Sequence, residues 1–208
     1  MSRRKPLVLG VLVSGRGSNL QAILDAIAEG RLTAKVAIVV SNRQKAEALA
    51  RAARHGAEAV ALDPKDFPDR EAFDRAVLAI LKKHDVELVV LAGYLRIITK
   101  PLIEAYRHRI INIHPALLPA FPGLHAVQQA LDSGVKTTGC TVHVATDEVD
   151  QGPIITQAAV PVEPTDTEAT LAARIRVEEH RIYPLAIQWF AEGRVRVEGN
   201  KVIVAPAT

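Results

Sequence analysis

Short runs of β-branched and apolar residues alternate with longer helical patterns through the first half of the chain, and few folds accommodate that order. LVLGVLV (7–13) precedes NLQAILDAIAEG, KVAIVV (35–40) precedes QKAEALARAARHG, and AEAVAL follows. This reads as βαβαβ, the order that builds a parallel sheet with helical crossovers. The strands are apolar throughout, as strands covered on both faces are. Gly30 and Gly56 stand just past the first two helices, where a left-handed residue closes a helix.

The alternation continues. DPKDFPD (63–69) is a loop, a helix is expected over 70–83, and VELVVLAG (86–93) is a strand. A short helix near 101–106 leads into RIINIH (109–114), and another near 125–132 follows a proline-rich loop. TTGCTVHVAT and PIITQAAVPV, joined by DEVDQG, form a close pair that an antiparallel arrangement suits, which makes the sheet mixed. Thr165 and Glu168 suggest a capping box before a long amphipathic helix striped by Leu171, Ile175, Ile182, Leu185 and Trp189, which Pro184 should kink or divide. VRVEGNKVIV reads as a terminal hairpin turning at Gly199 and Asn200. We expect one α/β domain over residues 1–208.

Composition narrows the class of function. With 49% hydrophobic and 24% charged residues, disorder is excluded; the net charge of +3 comes from scattered Lys and Arg not interleaved with aromatics, so a small anionic ligand is favoured over nucleic acid. A single cysteine, Cys140, rules out an intramolecular disulfide and a cysteine-rich zinc site, and suits a reducing cytoplasm. MSRRKPLVLGVLVSGRG has too short an apolar run and no small-residue cleavage pattern for a signal peptide, and no stretch approaches a membrane span.

Three places carry candidate chemistry. SGRGSNL (14–20) follows the first strand and opens the first helix, so its backbone N–H groups face a phosphate, or else it is a tight turn capped by Ser18; it lacks the lysine of an ATP loop and the third glycine of a dinucleotide loop. Asn112 and His114, two apart on a strand, share a face while Ile111 and Ile113 take the other, and Pro115, Pro119 and Pro122 stiffen the exit. They either border a ligand crevice or satisfy loop backbone. DEVDQGP (147–153) is either an ordinary solvated acidic turn or, because Gly152 and Pro153 would fix the backbone after Asp150, one that positions the Asp150 carboxylate. The other histidines, His143 among them, show no metal-ligand spacing.

SGRGSNLQAI, VVLAGYLRI, INIHPALLPAFPG, TGCTVHVATDEVDQGPII and EEHRIYPLAIQWF together resemble the folate-dependent phosphoribosylglycinamide formyltransferase family, in order over nearly the whole chain. Asn-x-His-Pro followed by Asp-x-Gly-Pro marks the formyltransferase superfamily, and SGRGSNL narrows it. The resemblance implies a Rossmann-like, mostly parallel mixed sheet flanked by helices, with phosphate and ribonucleotide held by the N-terminal half and folate binding and catalysis in the C-terminal half. It implies transfer of formyl from 10-formyltetrahydrofolate, as cosubstrate and without a metal, to the amine of glycinamide ribonucleotide. Asn112, His114 and Asp150 then match the catalytic residues; Gly17, Ser18 and Asn19 the phosphate loop; and Glu179 a second ribonucleotide contact. Leu91, Arg96, Ile97 and Ile98, with Thr146, Asp147, Glu148, Val149 and Asp150, match the folate side. Ile98 stands where leucine is common in the family, and Arg16 where relatives vary.

The chemistry fits these residue types. An amine attacking a formamide builds an oxyanion beside a cationic nitrogen; Asn112 can donate to the oxygen, His114 can do so when protonated, and Asp150 favours that protonation and helps relay the amine proton. Small-molecule substrates, a cytoplasmic location and a monomer or homodimer follow from the resemblance. The nearest rival is a formyltetrahydrofolate hydrolase, which carries an extra N-terminal domain where this chain starts at its first strand. Methionyl-tRNA formyltransferase needs a C-terminal tRNA-binding domain, and a noncatalytic phosphate-binding module leaves the Asn, His and Asp motifs without a reason.

Overall fold

A computed structural model describes residues 5–207. Seven strands form one sheet: β1 (Leu7–Val13), β2 (Ala34–Ser41), β3 (Glu58–Ala61), β4 (Leu88–Leu91), β5 (Ile110–His114), β6 (Thr137–Val144) and β7 (Ile154–Pro161). Their order is β3-β2-β1-β4-β5-β6-β7. The first five are parallel, while β6 runs antiparallel to β5 and β7 to β6. The chain leaves β1 towards β2 on one side and returns to place β4 on the other. The carboxyl ends of β1 and β4 therefore frame the topological switch point, where open α/β sheets bind ligands.

Six helices cover the sheet: α1 (Ser18–Ala28), α2 (Glu47–Arg54), α3 (Arg70–Lys83), α4 (Lys100–Ala105), α5 (Ala126–Asp132) and α6 (Glu168–Ala191). Strand alternation divides the core in two. Leu9, Val11, Val90, Ile111 and Ile113 pack with α1, α2, α5 and α6. Leu12, Ile38, Val89, Leu91 and Ile110 pack with Phe73, Val77 and Leu81 of α3 and Leu102 of α4. Because side chains alternate, Asn112 and His114 share the face of Ile110, beyond the cover of α3 and α4. A polar pair can stand there because loops, not a helix, roof that end of the strand.

Most expected elements form within one or two residues of their expected limits, and α3 and β1 keep them unchanged. Gly30 and Gly56 take positive φ of 73° after α1 and α2, and β8 (Val195–Glu198) pairs with β9 (Lys201–Val204) around Gly199. Three expectations change. The cap of α6 is Thr167, not Thr165: its hydroxyl accepts from Thr170 N while Thr170 Oγ1 accepts from Thr167 N, and Glu168 is the first helical residue. Leu185 is exposed, and Tyr183, Ala186 and Ile187 take the buried stripe. Pro184 lies inside α6 without dividing it; burial of that stripe compensates for the hydrogen bond its ring removes.

Candidate active site

The loop after β1 is shaped by main chain. Gly17 takes φ 74°, ψ 36° at the N-cap of α1, and a Cβ there would lie 2.6 Å from Ala48 Cβ, so only glycine fits without displacing α2. Ser18 makes no cap bond; it is the first residue of the helix. Arg51 Nε donates to the Arg16 carbonyl at 2.7 Å, and Ala48 N to the Gly15 carbonyl at 3.2 Å, so α2 braces the loop. Arg16 itself is exposed. The first-turn amides have no helical acceptor, and the turn carries no acidic residue to compete with an anion.

Asn19, beside this loop, is buried and donates from Nδ2 to Glu179 Oε2 at 3.1 Å, across 160 residues of chain. Its Oδ1 is buried with no partner. Burial raises the Glu179 carboxyl above its ordinary range, with the Asn19 bond and Arg176 acting against it. The expected phosphate loop and the expected ribonucleotide contact are therefore neighbours.

The second cluster is made of side chains. Antiparallel pairing sets Asn112 opposite His143 and His114 opposite Thr141. Asn112 Nδ2 donates to His143 Nε2 at 3.1 Å, while the His143 Nδ1 proton goes to the Val144 carbonyl at 3.1 Å. That tautomer leaves the second Asn112 N–H free. His114 Nε2 donates to the Phe121 carbonyl at 2.8 Å, and its Nδ1 stands 3.3 Å from Asp150 Oδ2. Asp150 Oδ1 lies 3.5 Å from His143 Nε2, and Gly123 N donates to Oδ2 at 2.8 Å.

Two loops deliver these groups. Thr141, fully buried, donates to the Ala116 carbonyl at 2.7 Å and accepts from Leu118 N at 3.0 Å, which pins the proline-rich segment over β6. The β6–β7 connection folds back because Val144 N bonds the Pro153 carbonyl and a Cβ on Gly152 would sit 1.8 Å from the Val144 carbonyl. Asp150 takes φ 55°, a left-handed conformation that aspartate tolerates better than most residues.

Burial pushes the His114 imidazole below its ordinary value, while the Phe121 carbonyl and Asp150 pull it back. The expectation that Asp150 favours a charged His114 holds for that pair alone; desolvation outweighs it. Both ring nitrogens nevertheless face oxygens, so a proton arriving on Nδ1 completes a second hydrogen bond. Asp150 lies below its ordinary value: burial raises it, but His143, in the form that carries a proton on Nε2, the Gly123 N–H and His114 together outweigh that.

The residues expected on the folate side divide. Leu91 and Ile98 are buried on the same face as Asn112, whereas Ile97 is half exposed. Arg96 stacks its guanidinium 4.5 Å over the Phe73 ring, with Nε buried and unpartnered, so it faces α3 instead of open solvent. Thr146 holds the following loop by a bond to the Glu148 carbonyl, and Asp147, Glu148 and Val149 are exposed. A cavity of about 750 Å³ opens at the opposite, amino-terminal end of β1, β4 and β5, by Lys5, Glu87, Arg109 and Phe190, and holds none of the clustered groups.

Sequence reasoning missed His143. The signal was its place in TVHVAT, two residues after Thr141 on the same face, but only the β5–β6 register shows that this face meets Asn112. Cys140, by contrast, is buried and its thiol is pushed up to about 12 by desolvation first and nearby Glu179 second, the behaviour of an inert core residue.

A doubly wound sheet with a glycine-shaped strand-to-helix loop and an Asn-His-Asp cluster defines a class of acyl-group transfer enzymes more than a nucleotide-binding module. The chain belongs to the formyl transferase family, whose model matches residues 8–187. It is 45% identical to phosphoribosylglycinamide formyltransferase of Escherichia coli over 91% of this chain and 90% of that protein. A crystal structure of glycinamide ribonucleotide transformylase 1 from Symbiobacterium toebii superposes with a TM-score of 0.96 at 52% identity, covering 99% of this chain and 96% of that one. A formyltetrahydrofolate deformylase from Pseudomonas syringae is also similar, with a TM-score of 0.89 but 31% identity, and this chain covers 67% of it. Among the described residues, no helix is long and apolar enough to cross a membrane.

Proposed function

We propose that this protein transfers the formyl group of 10-formyltetrahydrofolate to the amine of glycinamide ribonucleotide, in purine biosynthesis and in the cytoplasm, acting as a monomer or homodimer on small molecules alone. The observation that carries the reading is the meeting of Asn112, His114 and Asp150 from two distant segments, with an anion-suited loop at the neighbouring switch point. Residues 1–208 act as one domain. The amides around Gly17, Ser18 and Asn19 hold the phosphate, and Glu179 with the unpartnered Asn19 Oδ1 meets donors on the ribonucleotide. Leu91, Ile97 and Ile98 wall the pterin, backbone from Thr146 to Asp150 reads its edge, and Arg96 pairs with the folate carboxylate after leaving its place over Phe73.

In the reaction the amine nitrogen bonds to the formyl carbon and the carbonyl electron pair moves to oxygen. The free Asn112 N–H donates to that oxyanion, and His114, once protonated and held between the Phe121 carbonyl and Asp150, sets a positive charge beside it. Asp150, ionised because its hydrogen bonds outweigh burial, accepts proton density from the new ammonium and passes it, through water, to the folate nitrogen as its bond to the formyl carbon breaks. Protons and electrons balance without a redox change, and no metal takes part in the steps as written.

The test is the rate of appearance of deformylated folate, by absorbance, with and without glycinamide ribonucleotide. Turnover that requires the amine supports the transferase. Equal turnover without it would assign the chain to the hydrolase, and none under either condition would end the enzymatic reading.

A further inference from the structure

Ser14 directly follows β1 as the first residue of the 14–20 loop, sits at the switch point and is 1% exposed. Its backbone N–H donates to the Gly93 carbonyl at 3.0 Å. Its hydroxyl donates to Asn42 Oδ1 at 2.5 Å and accepts from Leu95 N at 2.8 Å. A single hydroxyl thus joins three segments: the loop at 14–20, the turn after β2, and the stretch leading to Arg96, Ile97 and Ile98. That stretch, from Gly93 to Thr99, contains no helix or strand, so side chains must fix it. Its far end is held separately. Asp74 of α3, 2% exposed, accepts from both Thr99 N at 2.6 Å and Thr99 Oγ1 at 2.7 Å.

These two tethers do different things. Asp74 joins the folate wall to α3 only, whereas Ser14 joins the folate wall to the loop that holds the other substrate. Formyl transfer requires the amine and the formyl carbon to meet at about 3 to 3.5 Å, and a misplacement of about 1 Å can cost about a hundredfold in rate. With its donor and an acceptor site already occupied and its side chain buried, Ser14 has no role in contact with substrate.

We propose that Ser14 is a positioning residue that fixes the relative placement of the ribonucleotide and the formyl donor. The inference rests on the two-substrate reading above. It separates binding from turnover: each loop keeps its own shape when the hydroxyl is lost, because Gly17, Arg51 and Asp74 hold them independently, but the register between the loops loosens.

The experiment compares the full chain with Ser14→Ala, Ser14→Cys, Asn42→Ala and Asp74→Asn, measuring kcat, both KM values and, by calorimetry, the Kd of each substrate alone. Ser14→Ala is expected to leave both Kd values within about threefold while kcat falls about 10- to 100-fold. Ser14→Cys, of similar size but weaker in hydrogen bonding, should move the same way and guards against a cavity effect in alanine. Asn42→Ala breaks only one of the two hydroxyl bonds and should cost kcat less. Asp74→Asn is expected to raise the folate KM and spare kcat. The proposal is overturned by a kcat for both Ser14 variants within about threefold of wild type, by Kd losses that match the kcat loss, or by an equal kcat loss in Asp74→Asn. A wild-type chain that fails to formylate the ribonucleotide sinks the functional reading first. An active wild type with unaffected Ser14 variants sinks this inference alone.

Discussion

The two halves of the proposed site are built from different materials. At the carboxyl end of β1 the working surface is main chain: a left-handed glycine, first-turn amides and a loop braced by α2. Across β5 and β6 it is side chain: Asn112, His143, His114 and Asp150 in one chain of polar contacts, delivered by an antiparallel strand pair and two loops. A phosphate carries a standing charge that fixed dipoles can meet, whereas a transient oxyanion and a moving proton need groups that can exchange protons. Substitutions should therefore separate the halves, with the side-chain half governing turnover and the main-chain half governing ribonucleotide affinity.

Asn112→Ala and His114→Ala should cost most. Loss of one oxyanion donor typically lowers kcat about 10²- to 10³-fold, and each variant should unfold cooperatively and bind the ribonucleotide, as steady-state kinetics and thermal melts would register. Binding lost in step with turnover would erase the distinction between the halves. His143→Ala should cost less, about 10- to 100-fold in kcat, because it frees the Asn112 amide to turn without removing it.

On the other side, an alanine at Gly17 is strained by about 1 to 2 kcal/mol in its left-handed conformation and blocked by Ala48, so Gly17→Ala should shift the loop and its amides; ribonucleotide affinity should then fall about tenfold while saturating kcat stays near wild type. Calorimetry and kinetics on the same preparation would read both. The smallest effect concerns stability. Glu179 has a raised folded-state pKa, so its contribution is fully present below its ordinary value of 4.5 and is lost as pH rises through the folded value. Glu179→Gln, which keeps an acceptor for Asn19, should be the more stable protein at neutral pH, with the gap closing towards acid pH. Melting curves across that range check the sign; a wild type more stable at neutral pH would contradict it.

The main-chain half was also the more legible. The turn from an apolar strand into a helix could be read from seven residues, whereas Gly17 as part of a phosphate loop came from the resemblance alone. The strand alternation that put Asn112 and His114 on one face was local as well. His143 was not, because its role depends on a register between strands separated by the proline-rich loop and α5. The resting place of Arg96 over Phe73 is a long-range packing choice that neither segment encodes alone. The cap of α6 was misplaced by two residues for the reverse reason: Thr165, Thr167 and Thr170 are chemically alike, and only the bond between Thr167 and Thr170 distinguishes them.

The central claim is that the formyl carbon ends on the ribonucleotide. Supplying 10-formyltetrahydrofolate labelled at that carbon, with glycinamide ribonucleotide, and following the label by carbon NMR tests it directly. The account expects the label in a new formamide on the ribonucleotide, formed at the rate folate is deformylated. Label accumulating as free formate, with the ribonucleotide unchanged, would contradict it.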